Sequence, residues 1–406
     1  MTLFDNISRH NFKAFLWHAG FLAFAQNFMD VDTVIPAMVV ESGGSAMHIG
    51  IITAIMMGGS SFTQLFFAPL VNNSKYKKNY LLYGINLRVL SLIALTIVLY
   101  WFSSRHSIYI FWFVFVFISL FSLSGAFANI SYVDIFGKTI NQNKRKSFFA
   151  LKQIIGGVIV LSTAFLAKKM LSSFDYPTNY SIMFLIGATA LFIASLGFWK
   201  IKETEPSGIK ISGFNNFIGS MLNEIKVNKK LVYFLGFINT QGIVISFIPF
   251  VMLYAKETFN TQGSDTGEFL LFKVIGVVIV SFMIWLVNKK VKYNTILYSN
   301  VFLSILLALL ILLINNVDTL KYIFILGGIV ISLFTITMNG LLLEISGNEN
   351  RALYAGFAGA GNIIPSIFPL IAGGIISKLG YAAFFIFFML IISFSLYFIL
   401  KIKCSR

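Results

Sequence analysis

The sequence predicts an all-α integral membrane protein, with twelve transmembrane helices arranged as two pseudo-symmetric six-helix bundles. Three observations predict it. Of 406 residues, 57% are hydrophobic and only 11% are charged, with a mean hydropathy of +0.84. Soluble domains carry about 25% charged residues, so this chain cannot build a wetted surface all round. Apolar runs of spanning length recur along the whole chain, and several of their features repeat between its halves.

A spanning helix needs about 20 apolar residues. Such runs occupy roughly 14–40, 47–71, 80–102, 108–136, 148–170 and 180–200 in the first half. In the second half they occupy 231–254, 267–287, 295–314, 320–345, 353–377 and 381–400. The longest polar stretch, Lys200 to Lys230, separates the sixth run from the seventh. The expected layout is therefore one bundle over 1–200, a cytoplasmic linker over 201–230 and a second bundle over 231–406. The first run is too long for a cleaved leader and lacks a small-residue cleavage site, so it is expected to remain as the first helix.

The formal net charge of +16 sits in short loops between the apolar runs. With the N-terminus inside, the cytoplasmic side collects Lys75, Lys77, Lys78, Lys138, Lys144, Arg145, Lys146 and the linker lysines. The opposite side receives few bases, among them Arg105, Lys168, Lys169 and Lys378. This bias orients both termini to the cytoplasm of the inner membrane and suits anionic headgroups. No basic, aromatic-bearing soluble domain is present for nucleic acid. A single cysteine, Cys404, leaves no intrachain disulfide and no cysteine-based metal site, and no cofactor is expected.

The halves repeat one another. Leu70-Val71-Asn72 before a basic cluster returns as Leu286-Val287-Asn288. Asn129 five residues before Asp134 returns as Asn339 before Glu344, and Ile35-Pro36 returns as Ile248-Pro249. The offsets are 216, 210 and 213 residues, in one order, which marks a duplicated six-helix unit.

Six plus six helices, a central linker and basic loops after the second and eighth runs resemble the major facilitator superfamily. The segment Asp134 through Arg145, repeated as Glu344 through Arg351, is similar to that family's acidic-then-basic loop after the fourth helix. The chain departs from the family at Ala68 and Asn72, where a glycine and an acid are usual, and keeps only Lys75, Lys77 and Lys78 of that motif. The fifth helix reads Gln153 through Gly157 without the proline of drug–proton antiporters. The resemblance implies rocker-switch alternating access about a midplane site between the halves.

Ionisable groups within spans cost roughly 2.5–3.5 kcal/mol each and need a reason. Asp30 and Asp32 lie in the outer half of the first helix, and on a regular helix they point about 200° apart. Unwinding near Pro36 would let them act together. Each is read either as a proton, cation or substrate site, or as a carboxylate in water or an ion pair. Lys273, at a depth similar to Asp30, is its natural partner, as a substrate-sensitive latch or a static pair. Arg88, inside the third helix, serves either an anionic substrate group or a structural carboxylate. Gln26 and Asn27 match Asn239 and Thr240, with Gln241 adjacent; these amides either line a cavity for a polar solute or join helices. His18 is read as interfacial, and Lys152 as snorkelling or paired with Asp134. Asp134/Arg145 and Glu344/Arg351 are read as cytoplasmic gate pairs. Gly361, Pro365, Pro369 and Gly373 form a face without bulk, suited to a hinge or to close packing.

The leading reading is a monomeric secondary active transporter for a small polar or amphipathic solute, with protons as a candidate coupling ion. A lipid or lipid-linked flippase of the same fold is the alternative. A polytopic membrane enzyme is the reading of another class, disfavoured by short loops and a linker without His or Cys.

Overall fold

The computed structural model describes residues 3–72, 74–102, 109–204, 206, 214–287, 293–346 and 361–402, and among them every regular element is helical. The helices are α1 (Leu3–Gln26), α2 (Val34–Glu41), α3 (Ala46–Asn72), α4 (Lys78–Phe102), α5 (Tyr109–Thr139), α6 (Gln142–Ser173) and α7 (Thr178–Trp199). They continue as α8 (Phe214–Val227), α9 (Lys229–Gln241), α10 (Phe247–Phe259), α11 (Gly263–Val287), α12 (Tyr293–Leu313) and α13 (Val317–Ser346). The last, α14 (Ile363–Lys401), is broken at Gly380, whose φ of 83° favours a residue without Cβ. Nine helical segments among the described residues are long and apolar enough to cross a membrane. Their outward faces carry large apolar side chains such as Trp101, Trp112, Phe302 and Phe394. The chain is a multi-pass membrane protein.

Two spans are interrupted at corresponding places. After α1 the chain tightens into a 3-10 turn, Asn27–Met29, and Asp30 is extended (φ −62°, ψ 125°) before α2 begins. After α9 a 3-10 turn runs Gly242–Ser246 into α10. In each case the restarted helix has proline as its third residue, Pro36 in α2 and Pro249 in α10. Proline is tolerated in a first helical turn because its missing N–H would have no partner there anyway. The same residue pattern thus restarts both helices.

The polar stretch 201–230 contains the helix α8. The Asn228 side chain then caps α9, accepting from the N–H groups of Lys230 (3.1 Å) and Leu231 (3.3 Å).

By contacts the chain divides into two compact units. The first comprises residues 1–30 and 59–216. In it α4 packs on α5 and α7, and α1 packs on α6 and α7. Its core is aromatic: Phe15 meets Tyr132 and Phe136 edge-on at 5.0 and 5.2 Å. Such T-shaped pairs add about 0.5–1.5 kcal/mol to the area they bury. The second unit comprises residues 31–58 and 217–406. In it α11 packs on α13, α9 and α12 pack on α14, and α2 packs on α10 and α11. Glycine allows these helices to approach: a methyl group on Gly276 would strike the Ile325 carbonyl, and one on Gly328 the Lys273 carbonyl.

Candidate functional site

In the second unit, the interruption after α1 re-aims the chain. Lys273 of α11 donates to Asp32 Oδ2 at 2.8 Å, with side chains 7% and 14% exposed. Sequence reasoning placed Lys273 with Asp30, on helical depth; the 2.8 Å contact is with Asp32. Asp30 itself is buried. The segment carrying Asp32 is also held by close packing of α3 on α14. Gly50 lies against the Pro369 carbonyl, and a methyl group on Gly373 would sit 2.6 Å from the Ala46 carbonyl. The small-residue face therefore packs a neighbouring helix. Pro365 faces Gly242 in the same way, at 2.7 Å from where a Cβ would stand.

The matched amides are engaged by neighbouring helices. Asn27 is buried and donates to Thr163 Oγ1 (2.9 Å) and the Val160 carbonyl (2.6 Å) on α6. Asn239 donates to the Gly361 carbonyl (2.6 Å) and accepts from the Ile364 N–H (2.8 Å), which fastens the start of α14. Gln241 donates to Ser304 (3.0 Å) and accepts from Ser395 (3.1 Å). Thr240 bonds back to the Gly236 carbonyl of its own helix at 2.8 Å. Gln26 is exposed. Buried amides in an apolar interior are hydrogen-bonded, and here the helices satisfy one another.

In the first unit the two members of the expected gate pair Asp134/Arg145 have other partners. Asp134 is bound by Lys77 and Lys138, each at 3.1 Å. Arg145 instead donates to the carbonyls of Ile140 (3.1 Å) and Gly137. Arg145 lies in the first turn of α6, where it caps the free carbonyls at the end of α5. Sequence reasoning also missed Glu203. Its carboxylate is 3% exposed and lies 2.6 Å from the Lys138 ammonium. It also accepts from the N–H of Lys77 (2.8 Å) and of Lys78 (2.8 Å), at the start of α4. A carboxylate at a helix N-terminus is doubly favoured, by hydrogen bonds and by the helix dipole. The absence of the usual acid at position 72 was the available signal, because the surviving lysines then need carboxylates from elsewhere. The Glu344 side chain and Arg351 lie outside the described residues.

Also in the first unit is a cavity of about 150 Å³ between α1, α4, α5, α6 and α7. Arg88, His18, Lys152, Asn129 and Tyr132 line it. The Arg88 guanidinium lies over the Phe121 ring, 4.1 Å from its centroid. Arg88 Nε is shut off from solvent and has no hydrogen-bond partner, and no carboxylate pairs with Arg88 among the described residues. A Cβ on Gly125 would stand only 3.3 Å from that Nε, so the glycine leaves room for the side chain. His18, expected at the membrane surface, is buried and stacks on Phe198 at 4.0 Å. Lys152 faces the cavity, while Asp134 is held by the lysines named above. These are the helices of a multi-pass membrane protein, with charges inside its spans and helix breaks at corresponding places.

The chain belongs to the major facilitator superfamily, whose family model matches residues 16–360. No curated protein matches it by sequence. Among solved structures it is similar to a mutant of the nucleoside transporter NupG, with a TM-score of 0.66 and 14% identity over 96% of this chain and 98% of that one. The unmutated NupG structure gives 0.63 at 13% identity, covering 97% and 98%. A POT family transporter in complex with a thioalcohol-conjugated peptide gives 0.68 at 14% identity, covering 97% and 96%. At these identities the likeness is one of fold. Family membership makes the protein a secondary transporter and not an enzyme.

Proposed function

We propose that this protein moves a small polar or amphipathic solute by alternating access, and that the Asp32–Lys273 pair latches its outer seal. The observation that carries this is the 2.8 Å ion pair itself. It joins the segment just after the break in the first span to α11, more than half the chain away. The close contacts of Gly50 with Pro369 and of Gly373 with Ala46 join α3 to α14 through backbone and small residues. Contacts of this kind separate as surfaces, without unravelling a side-chain core. The interruptions at Asn27–Met29 and Gly242–Ser246 provide places for the spans to bend. Asp30, buried at the end of the first interruption, is the carboxylate we assign to proton coupling.

Val34, fully buried beside the latch, gives a test that needs no substrate. Val34→Cys in a Cys404→Ser background should react slowly with a membrane-impermeant maleimide added outside. Adding Lys273→Met should accelerate labelling several-fold, because an unlatched seal opens more often. Labelling unchanged by Lys273→Met would remove the latch.

A further inference from the structure

We propose that the cavity of the first unit is a binding subsite for a small organic anion, with the Arg88 guanidinium receiving its carboxylate. The inference deepens the transport reading and rests on it for its physiological meaning, since it names the charge of the solute carried.

Four observations converge. The first is charge: the lining includes the cations Arg88 and Lys152, and no carboxylate. The second is the orphaned donor. Arg88 Nε is out of solvent without a partner, and the buried His18 Nδ1 is likewise unpartnered. A guanidinium carries five donors in a fixed fork and cannot be neutralised, so it is built to take a planar oxyanion. Third, Arg88 is positioned before any ligand arrives, with Phe121 beneath its plane at 4.1 Å and the bare Gly125 beside its Nε. A donor held in place this way needs little further ordering on binding. Fourth, the size and polarity of the space suit an amphipathic acid. A cavity of about 150 Å³ has room for a benzene-sized body. Leu22 and Phe198 supply an apolar wall for such a ring, and Asn129 and Tyr132 supply polar groups at its edge. The ligand class is therefore a carboxylate on a body about as large as a benzene ring.

The other buried charges do not present this pattern. Asp134, Glu203, Lys77 and Lys138 bind one another, and Asp32 binds Lys273. Arg88 is an intramembrane charge that the fold itself leaves without a counter-ion among the described residues.

The test uses the full chain purified in detergent, with benzoate, nicotinate, benzamide and inorganic phosphate as probes. Benzoate or nicotinate should raise the unfolding temperature in a concentration-dependent way, and benzamide, the same shape without the charge, should not. By titration calorimetry, Arg88→Gln should weaken carboxylate binding by about 10- to 100-fold, the range for losing a hydrogen-bonded charge. Arg88→Lys should restore part of it. Should Arg88→Gln fail to fold, Leu22→Trp fills the cavity from another helix and should abolish the benzoate effect. Equal effects of benzoate and benzamide, undiminished binding by Arg88→Gln, or no effect of any carboxylate on the folded protein would each overturn the subsite. A response to phosphate alone would also overturn it, since the apolar wall would then have no role. The maleimide test uses Val34 and Lys273, which do not line this cavity. Failure here with latch labelling intact removes only the anion subsite, whereas failure of latch labelling alone removes the latch.

Discussion

Lys273 and Asp32 meet at 2.8 Å with both side chains largely out of water, one from α11 and the other from the turn that follows the break in the first span. Removing one partner of a buried pair leaves an uncompensated charge and costs about 3–5 kcal/mol. Lys273→Met and Asp32→Asn should each lower the unfolding temperature in detergent. The exchanged pair, Asp32→Lys with Lys273→Asp, should recover part of the loss. Strictly additive losses in this cycle would show that the two residues do not interact in solution.

Glu203 joins the end of the first six apolar runs to the start of α4. Glu203→Gln removes the charge opposite Lys138 and weakens the acceptor for two backbone N–H groups. The expected cost is about 1–3 kcal/mol, and thermal unfolding should show it. Hydrogen exchange should rise at Lys77 and Lys78 before it rises elsewhere in α4. Unchanged protection at those two amides would count against the capping role.

Gly328 and Gly374 make a paired control. An added methyl group on Gly328 would meet the Lys273 carbonyl, whereas on Gly374 it meets nothing closer than Met47 at 3.9 Å. Gly328→Ala should destabilise by about 1–3 kcal/mol, as overpacking does, and should shift the helix that carries Lys273. Gly374→Ala should be close to neutral. Equal melting temperatures for the two variants would contradict the packing described.

Asn239 fastens the beginning of α14 through two hydrogen bonds. Asn239→Ala should cost about 1 kcal/mol in stability, typical of a lost cap. It should leave the affinity for any identified substrate unchanged. A large loss of affinity without a loss of stability would return Asn239 to the cavity-lining role that its sequence position suggests.

Asp30→Asn should abolish pH-dependent accumulation of substrate in energised vesicles while preserving exchange across them. Full pH-dependent accumulation by the variant would take Asp30 out of the coupling step.

Much of this arrangement was legible in the sequence, because the bilayer imposes a simple rule. Every backbone polar group in a span must be satisfied within the protein, so long apolar runs are helices. The repeated Ile-Pro pairs marked where both broken spans restart, since proline lacks the N–H that a continuing helix would need. Arg88, Asp32 and Lys273 stood out as charges inside apolar runs. Their partners did not. The likeness to the family's acidic-then-basic loop points Asp134 to Arg145, whereas in the structure lysines from another loop and from its own helix bind it. Glu203 lies in the polar stretch that reads as linker, yet it is among the most enclosed carboxylates described.

The sequence by itself determined the membrane class and the α-helical form, because hydropathy and helical length act along the chain and need no distant contact. The tertiary structure decided which charges meet. It turned the chain after Met29 so that Asp32 is the carboxylate 2.8 Å from Lys273. It gave the matched amides of α9 to neighbouring helices, and it left Arg88 over Phe121 in the wall of a cavity, its buried Nε without a partner. Pairing depends on direction and on distances of a few ångströms between remote residues, and no periodicity in one segment encodes those.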